Sequence, residues 1–127
     1  MRFLALRNEE PPDETVVVVR GGEMASDSVR RTARDAFDET GVYSLSVYLT
    51  LDEPLAEMCR GEPFLARYGK VRLSTVARVR QAGFVLLPTL GRPHYDIVLP
   101  DTSDGTLVRL DVCFDPPVSN PGRRLEP

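Results

Sequence analysis

The most regular apolar stretch of this chain is a run of four valines at residues 16–19. A run that is apolar on both faces predicts a strand at the centre of a sheet. It ends in Arg20-Gly21-Gly22, where a charge is followed by two glycines. Because glycine permits positive φ and a close approach of the backbone to a ligand, we predict that the end of this strand forms part of a binding site.

A helical pattern follows the valine strand. Apolar residues recur at helical spacing over residues 26–40, which predicts an amphipathic helix. Ser26 or Asp27 would cap its start, and Gly41 would end it. The helix is therefore predicted by capping residues at both ends as well as by its apolar periodicity.

Residues 42–49 predict a second strand, because the side chains of residues 43–49 divide between two different faces when they alternate. The large apolar side chains lie on one face, and Ser44, Ser46 and Tyr48 lie on the other. This polar face has two interpretations: it is the solvent side of the sheet, or it is one wall of a site.

Shorter elements complete the pattern. They are a helix after Asp52, a strand at residues 70–73, a helix from Ser74 or Thr75 to Ala82, and strands at residues 84–87 and 95–99. Residues 91–93, Gly-Arg-Pro, predict a hairpin loop between the last two strands. Residues 106–114 fit both a strand and a helix, and the capped start at residues 100–103 favours a helix.

Strands that alternate with helices predict an α+β fold, with helices packed on a mixed sheet of four to six strands. A length of 127 residues fits a single domain. We predict an N-terminal arm at residues 1–14, with a short edge strand near residues 3–6. We also predict an irregular, proline-rich C-terminal tail at residues 115–127.

Composition narrows the possible partners. A net charge of −3 argues against strong nonspecific binding to nucleic acid, although it leaves room for a local basic patch. No apolar run is long enough to cross a membrane, and the first residues are too charged for a signal peptide. These features predict a cytoplasmic protein. Arginine supplies all but one of the basic residues, a bias typical of GC-rich bacterial genomes.

The two cysteines, Cys59 and Cys113, and the single histidine do not have metal-ligand spacing. We therefore predict no metal site, and two reduced thiols that pack as small hydrophobic side chains. Their separation also gives no sign of a disulfide framework.

The single histidine, His94, is the strongest candidate for acid–base chemistry, because its unperturbed pKa of about 6.5 suits proton transfer near neutral pH. Arg20 and Arg92 would bind a phosphate, and Ser46 and Tyr48 would orient a substrate. A metal-independent ribonuclease needs such a set. The alternative is a loop histidine that only bonds to the backbone.

The order of parts over residues 15–60 resembles that of small bacterial ADP-ribosyltransferase toxins of the arginine-serine-glutamate type. Arg20 ends the first core strand, Ser44-Leu45-Ser46 lies on the strand after a helix, and residues 51–56 resemble the helix that crosses the site. The resemblance implies NAD as the cofactor, bound by Arg20. The glutamate expected on a later strand is not found, and Asp96 is the nearest carboxylate.

These observations predict a small bacterial effector, the toxin of a toxin–antitoxin pair, that acts on a nucleotide or RNA. The predicted catalytic residues are His94, Tyr48 and Asp96, and the predicted substrate-binding residues are Arg20, Gly21, Gly22, Ser44, Ser46 and Arg92. The alternative is a non-catalytic protein-interaction module or antitoxin-like partner that binds a cognate protein. The oligomeric state is left open.

Overall fold

The computed structural model describes residues 11–21, 24 and 26–122. Within these residues six strands form one sheet: β1 (Val16–Arg20), β2 (Tyr43–Leu49), β3 (Lys70–Thr75), β4 (Val85–Pro88), β5 (His94–Leu99) and β6 (Val118–Ser119). Five helices accompany them: α1 (Asp27–Thr40), α2 (Leu55–Gly61), α3 (Pro63–Ala66), α4 (Val76–Gln81) and α5 (Asp104–Val112). The predicted α+β class and single domain are those of the structure.

The valine strand β1 lies inside the sheet, whose order is β4-β5-β2-β1-β3-β6. Val17 and Val19 join the larger core cluster, which includes buried residues of α1, α4 and α5. Val18 points to the opposite face and joins a smaller cluster with Met58 and Leu65 of α2 and α3. Helices therefore cover both faces of β1, as its uniform apolar run predicts.

The predicted mixed sheet is wrong in one respect, because every pairing among the described strands is antiparallel. The connection through α1 returns to the edge where β1 ends, so β2 runs back beside β1 with Val18 opposite Tyr48. The alternation of side chains along one strand shows which face of the sheet each side chain occupies. It does not show whether the neighbouring strand runs parallel or antiparallel.

The residues predicted to begin or end helices do so for α1 and α5, but not for α2. Ser26 caps α1 by accepting a hydrogen bond from the Val29 backbone N–H, and Gly41 ends the helix at a φ of 81°. The ambiguous segment at residues 106–114 is largely helical, because Ser103 caps α5. The expectation that Asp52 caps α2 is wrong, since the helix begins after Pro54 and Asp52 instead forms an ion pair with an arginine.

The predicted irregular tail is partly wrong. It contains the short strand β6, which pairs with β3. The next residue, Asn120, is buried, and its Nδ2 donates to the carbonyl oxygens of Leu65 at 2.7 Å and Tyr68 at 2.9 Å. The tail therefore holds α3 in place. The predicted edge strand at residues 3–6 lies outside the described residues.

Replacing Gly122 with alanine should destabilise the protein, because this glycine lies directly against α2. An added Cβ would sit 2.3 Å from the Arg60 backbone nitrogen and 2.6 Å from the Cys59 backbone carbon. The backbone would have to move, and we expect a loss of about 1–3 kcal/mol in the free energy of unfolding. Urea denaturation measures this loss.

Gly105→Ala is the matched control for the tail. A Cβ at Gly105 would meet nothing within 4 Å, and alanine is the better helix former within α5. The control should therefore be as stable as the wild type or slightly more stable. Equal stabilities of Gly122→Ala and the wild type would contradict the packing of the tail on α2.

Candidate functional site

The polar face of β2 lies against a matching face of β5. Tyr48 is opposite His94, and Ser46 is opposite Asp96. Residues that pair across a sheet point to the same side, so these four side chains share one face. Tyr48 also belongs to the core cluster under α2 and α3, which places the polar patch beside these helices.

A pocket of about 470 Å³ opens at this patch. It is lined by Arg20, Ser46, Tyr48, Glu62, Phe64, Leu90, Gly91, Arg92, Pro93 and His94. The structure thus brings together five side chains selected from separate parts of the sequence: Arg20, Ser46, Tyr48, Arg92 and His94. Their convergence on one pocket requires the antiparallel order β5-β2-β1.

The ring of His94 is oriented by a short hydrogen-bonded chain. Thr89 Oγ1 lies 2.7 Å from His94 Nδ1 and donates its one proton to Asp96 Oδ1 at 3.1 Å. Because that proton is committed, Nδ1–H is the donor to Thr89. His94 is the first residue of β5 and not a loop residue. This arrangement leaves Nε2, on the far side of the ring, for proton transfer.

Asp96 and Ser44 lie behind His94, and neither is among the residues that line the pocket. Asp96 is 8% exposed, and its two oxygens accept hydrogen bonds from Thr89 and, at 2.9 Å, from Ser44. Both side chains are therefore buried behind the lining of the pocket. Asp96 is linked to His94 through Thr89, and the Ser44 hydroxyl donates to Asp96.

Tyr48 forms the buried side of the pocket. Its ring meets that of His94 edge to face, with 5.3 Å between the ring centres. Burial raises the pKa of the Tyr48 hydroxyl, and the nearby Glu62 raises it further, whereas Arg20 lowers it. Tyr48 is therefore a neutral hydrogen-bond donor at physiological pH.

Glu62 is a carboxylate of the pocket lining that the sequence does not single out as a site residue. It ends α2 and precedes α3 with extended backbone angles, φ −99° and ψ 111°, as expected for a residue before proline. Burial raises the pKa of its carboxyl group, Glu53 raises it too, and His94 lowers it. The sequence feature that could have indicated Glu62 is its position in Gly-Glu-Pro between two helices. A carboxylate at such a break does not lie on the surface of a regular helix.

Arg20 is exposed, and its guanidinium carbon lies 5.4 Å from the centre of the Tyr68 ring. Gly21 has a φ of 91° and lines a second cavity, of about 330 Å³, together with Arg20 and Ser46. Gly22 lies outside the described residues. The end of β1 therefore separates two adjoining cavities.

Arg92 lines the pocket but also forms an ion pair with Asp52, with Nη1 and Oδ1 2.8 Å apart. This pair joins the loop before β5 to the segment before α2. Arg92 therefore contributes both to the shape of the pocket and to its positive charge.

Within residues 11–21, 24 and 26–122, no cluster of histidine, cysteine, aspartate and glutamate side chains has a geometry suited to a metal ion. No helix in this part of the chain is long and apolar enough to cross a membrane. Both cysteines are free and buried, and burial raises the pKa of the Cys59 thiol to about 11. The chain matches no family model, and comparisons with curated proteins and with solved structures also give no match.

Proposed function

We propose that this protein cleaves RNA without a metal ion, by transesterification at a phosphodiester. The observation that carries the proposal is that Glu62 and His94, a carboxylate and an imidazole, line one pocket together with the cation Arg20. Such a set supplies a base, an acid and a phosphate ligand, which are the groups this reaction needs.

In this reaction the Glu62 carboxylate removes the proton from a ribose 2′-hydroxyl. The 2′-oxygen attacks the neighbouring phosphorus, and the bond from phosphorus to the 5′-oxygen of the next nucleotide breaks. His94, protonated on Nε2, gives its proton to that leaving oxygen. The products are a 2′,3′-cyclic phosphate and a 5′-hydroxyl, so neither an oxidant nor a further reactant is consumed.

The pKa of Glu62 supports its assignment as the base. Burial raises the pKa of this carboxyl group, and a carboxylate of higher pKa is a stronger base toward a hydroxyl proton. The hydrogen bond from His94 Nδ1–H to Thr89, which in turn donates to Asp96, supports His94 as the acid. It keeps Nε2 directed away from the protein-bound side of the ring.

Arg20 and Tyr48 support the charge that develops on the phosphate. An arginine guanidinium binds phosphate oxygens through charge-assisted hydrogen bonds, and the neutral Tyr48 hydroxyl adds a donor from the buried side. Ser46, between these two on the same face, orients the ribose.

Purified protein incubated with single-stranded RNA and excess EDTA should produce fragments that end in a 2′,3′-cyclic phosphate and begin with a 5′-hydroxyl. Mass spectrometry identifies both ends. His94→Ala, prepared in parallel, reports the background of contaminating nuclease. Cleavage at the same rate by both proteins, or fragments with 3′-hydroxyl ends, would rule out the mechanism.

The effector role stays a prediction from the sequence. A toxin of this kind should arrest bacterial growth when its expression is induced. The interaction-module alternative and the NAD ligand implied by the ADP-ribosyltransferase resemblance also stay predictions. Failure of the RNA cleavage assay would favour the interaction-module alternative.

A further inference from the structure

Two arginines and two aromatic rings alternate in a row beside the pocket. The guanidinium carbon of Arg67 lies 5.4 Å from the centre of the Phe64 ring and 5.5 Å from that of Tyr68. That of Arg20 lies 5.4 Å from the Tyr68 ring. We name Phe64, Arg67, Tyr68 and Arg20 the arginine–aromatic row. Its two end members, Phe64 and Arg20, both line the pocket.

The outer end of the row is open to solvent. Phe64 is 55% exposed, although its neighbour Leu65 is fully buried in the smaller core cluster. An exposed aromatic ring gains little from burial within its own chain. Its position at the rim of a pocket that contains polar groups favours a ligand with a flat apolar face.

The row also has a firm support. Asn120 donates hydrogen bonds to the carbonyl oxygens of Leu65 and Tyr68, on either side of Arg67. Leu65 of α3 packs in the smaller core cluster and so attaches this helix to the sheet. The backbone that carries Phe64, Arg67 and Tyr68 is therefore held in place before a ligand arrives, which lowers the entropic cost of ordering this segment on binding.

We propose that the arginine–aromatic row binds single-stranded RNA beside the scissile phosphate, with bases stacked on the rings and guanidinium planes and with phosphates bound by Arg20 and Arg67. This inference rests on the proposed function for the class of its ligand. It adds that the substrate is an extended single strand and not a mononucleotide or a duplex. Bases in a duplex are already stacked on each other and cannot reach such a row.

The net charge of the chain indicates that RNA would be bound through local contacts near the pocket. Because the net charge is −3, general electrostatic attraction does not hold RNA to this protein. Binding must depend on the few cations near the pocket and on stacking. The affinity should therefore respond to single substitutions within the row and only weakly to salt.

The test uses a fluorescein-labelled 2′-O-methyl RNA hexamer, which lacks the attacking hydroxyl, in fluorescence anisotropy titrations. Phe64→Ala should weaken binding roughly 5- to 150-fold, the effect of losing one stacked base. Phe64→Tyr should bind as the wild type does, because it keeps a ring. The matched control is Phe37→Ala, which removes an exposed ring of α1 that stacks on Tyr43 and should leave the affinity unchanged.

Salt dependence tests the two arginines. With two phosphates bound, the slope of log K against log salt concentration should be about −1.4 for a single strand. Arg67→Ala should reduce it to about −0.7. Arg31→Ala, which removes an exposed arginine of α1, should leave the slope as it is.

Three binding results would each overturn the inference: no binding of the hexamer by the wild type, equal affinities of Phe64→Ala and the wild type, or equally tight binding of a blunt RNA duplex. Because the hexamer cannot be cleaved, these outcomes are separate from the test of catalysis. A protein that binds the hexamer through Phe64 but cleaves no RNA would refute the proposed function alone. A protein that cleaves RNA equally well with and without the Phe64 ring would refute this inference alone.

Discussion

Glu62→Gln should lower the rate of RNA cleavage by about 10²–10⁴-fold, the usual effect of removing a general base. Glutamine keeps the size and polarity of the side chain but cannot accept the proton of the 2′-hydroxyl. Glu62 is only partly buried at the junction of α2 and α3, so the variant should keep its fold. Single-turnover cleavage of a short RNA measures the rate, and circular dichroism checks the fold.

The same residue should determine how cleavage depends on pH. A base must be deprotonated to act, and burial and Glu53 raise the pKa of the Glu62 carboxyl group. The rate should therefore rise with pH through a pKa above the ordinary value for glutamate. Glu53→Gln removes one of the groups that raise this pKa, so it should move the rising part of the profile to lower pH.

Glu57→Gln is the control for both measurements. Glu57 is an exposed glutamate of α2, and it does not line the pocket. Its replacement should change neither the rate nor the pH profile. The assignment of Glu62 as the base would be abandoned if Glu62→Gln retained both full activity and the wild-type pH profile.

Arg72→Met should cost about 3–5 kcal/mol in the free energy of unfolding, because it removes a buried guanidinium together with its ion pair and its hydrogen bonds to three backbone carbonyls. Arg72 is 5% exposed on β3 and forms an ion pair with Asp111 of α5. Its guanidinium also donates to the carbonyl oxygens of Asp111 at 3.0 Å, Phe114 at 2.9 Å and Asp115 at 2.8 Å. These carbonyls lie at or just beyond the C-terminal end of α5, and methionine would remove the cation that binds all three of them and the Asp111 carboxylate.

The control is Arg78→Met, which breaks the more exposed ion pair of Arg78 with Asp115. Surface pairs contribute about 0–1 kcal/mol, so urea denaturation should separate the two variants clearly. Equal losses in the two variants would show that Arg72 does not hold α5 on the sheet.

Acid should weaken the Arg72–Asp111 link in the wild type. The hydrogen bond from Arg72 is the largest cause that lowers the pKa of Asp111 in the folded protein. A carboxylate whose pKa is lower when folded contributes stability above its unfolded pKa, and that stability is lost as the pH falls through its folded pKa. Arg72→Met should therefore show less loss of stability with falling pH than the wild type does.

Much of the candidate site could be inferred from residue chemistry and strand ends. The sequence singled out Arg20 because it follows a buried strand, and His94 because it is the only histidine. The alternating pattern of residues 43–49 indicated Ser46 and Tyr48 as members of its polar face. That these residues share a pocket could not be known, because it depends on which strands are neighbours and on their register.

Glu62 and Asp96 show where sequence reasoning reached its end. The sequence indicates Asp96 as the nearest carboxylate on a late strand, but in the structure both of its oxygens accept hydrogen bonds, one from Thr89 and one from Ser44. The sequence does not single out Glu62, because no local signal links a residue between two short helices to β2 and β5. The packing of α2 and α3 beside β1, with Tyr48 in the same core cluster, brings it there.

Interactions between adjacent residues thus determine most helices and strands of this protein. The valine run, the caps at Ser26 and Ser103, and the positive φ at Gly41 depend on a few adjacent residues, and a sequence displays those directly. The antiparallel order of the strands, the buried partners of Arg72 and the presence of Glu62 and His94 in one pocket depend on contacts between distant residues. Only the tertiary structure decided them, because a single chain pattern specifies which face a side chain occupies and not which distant residue it meets.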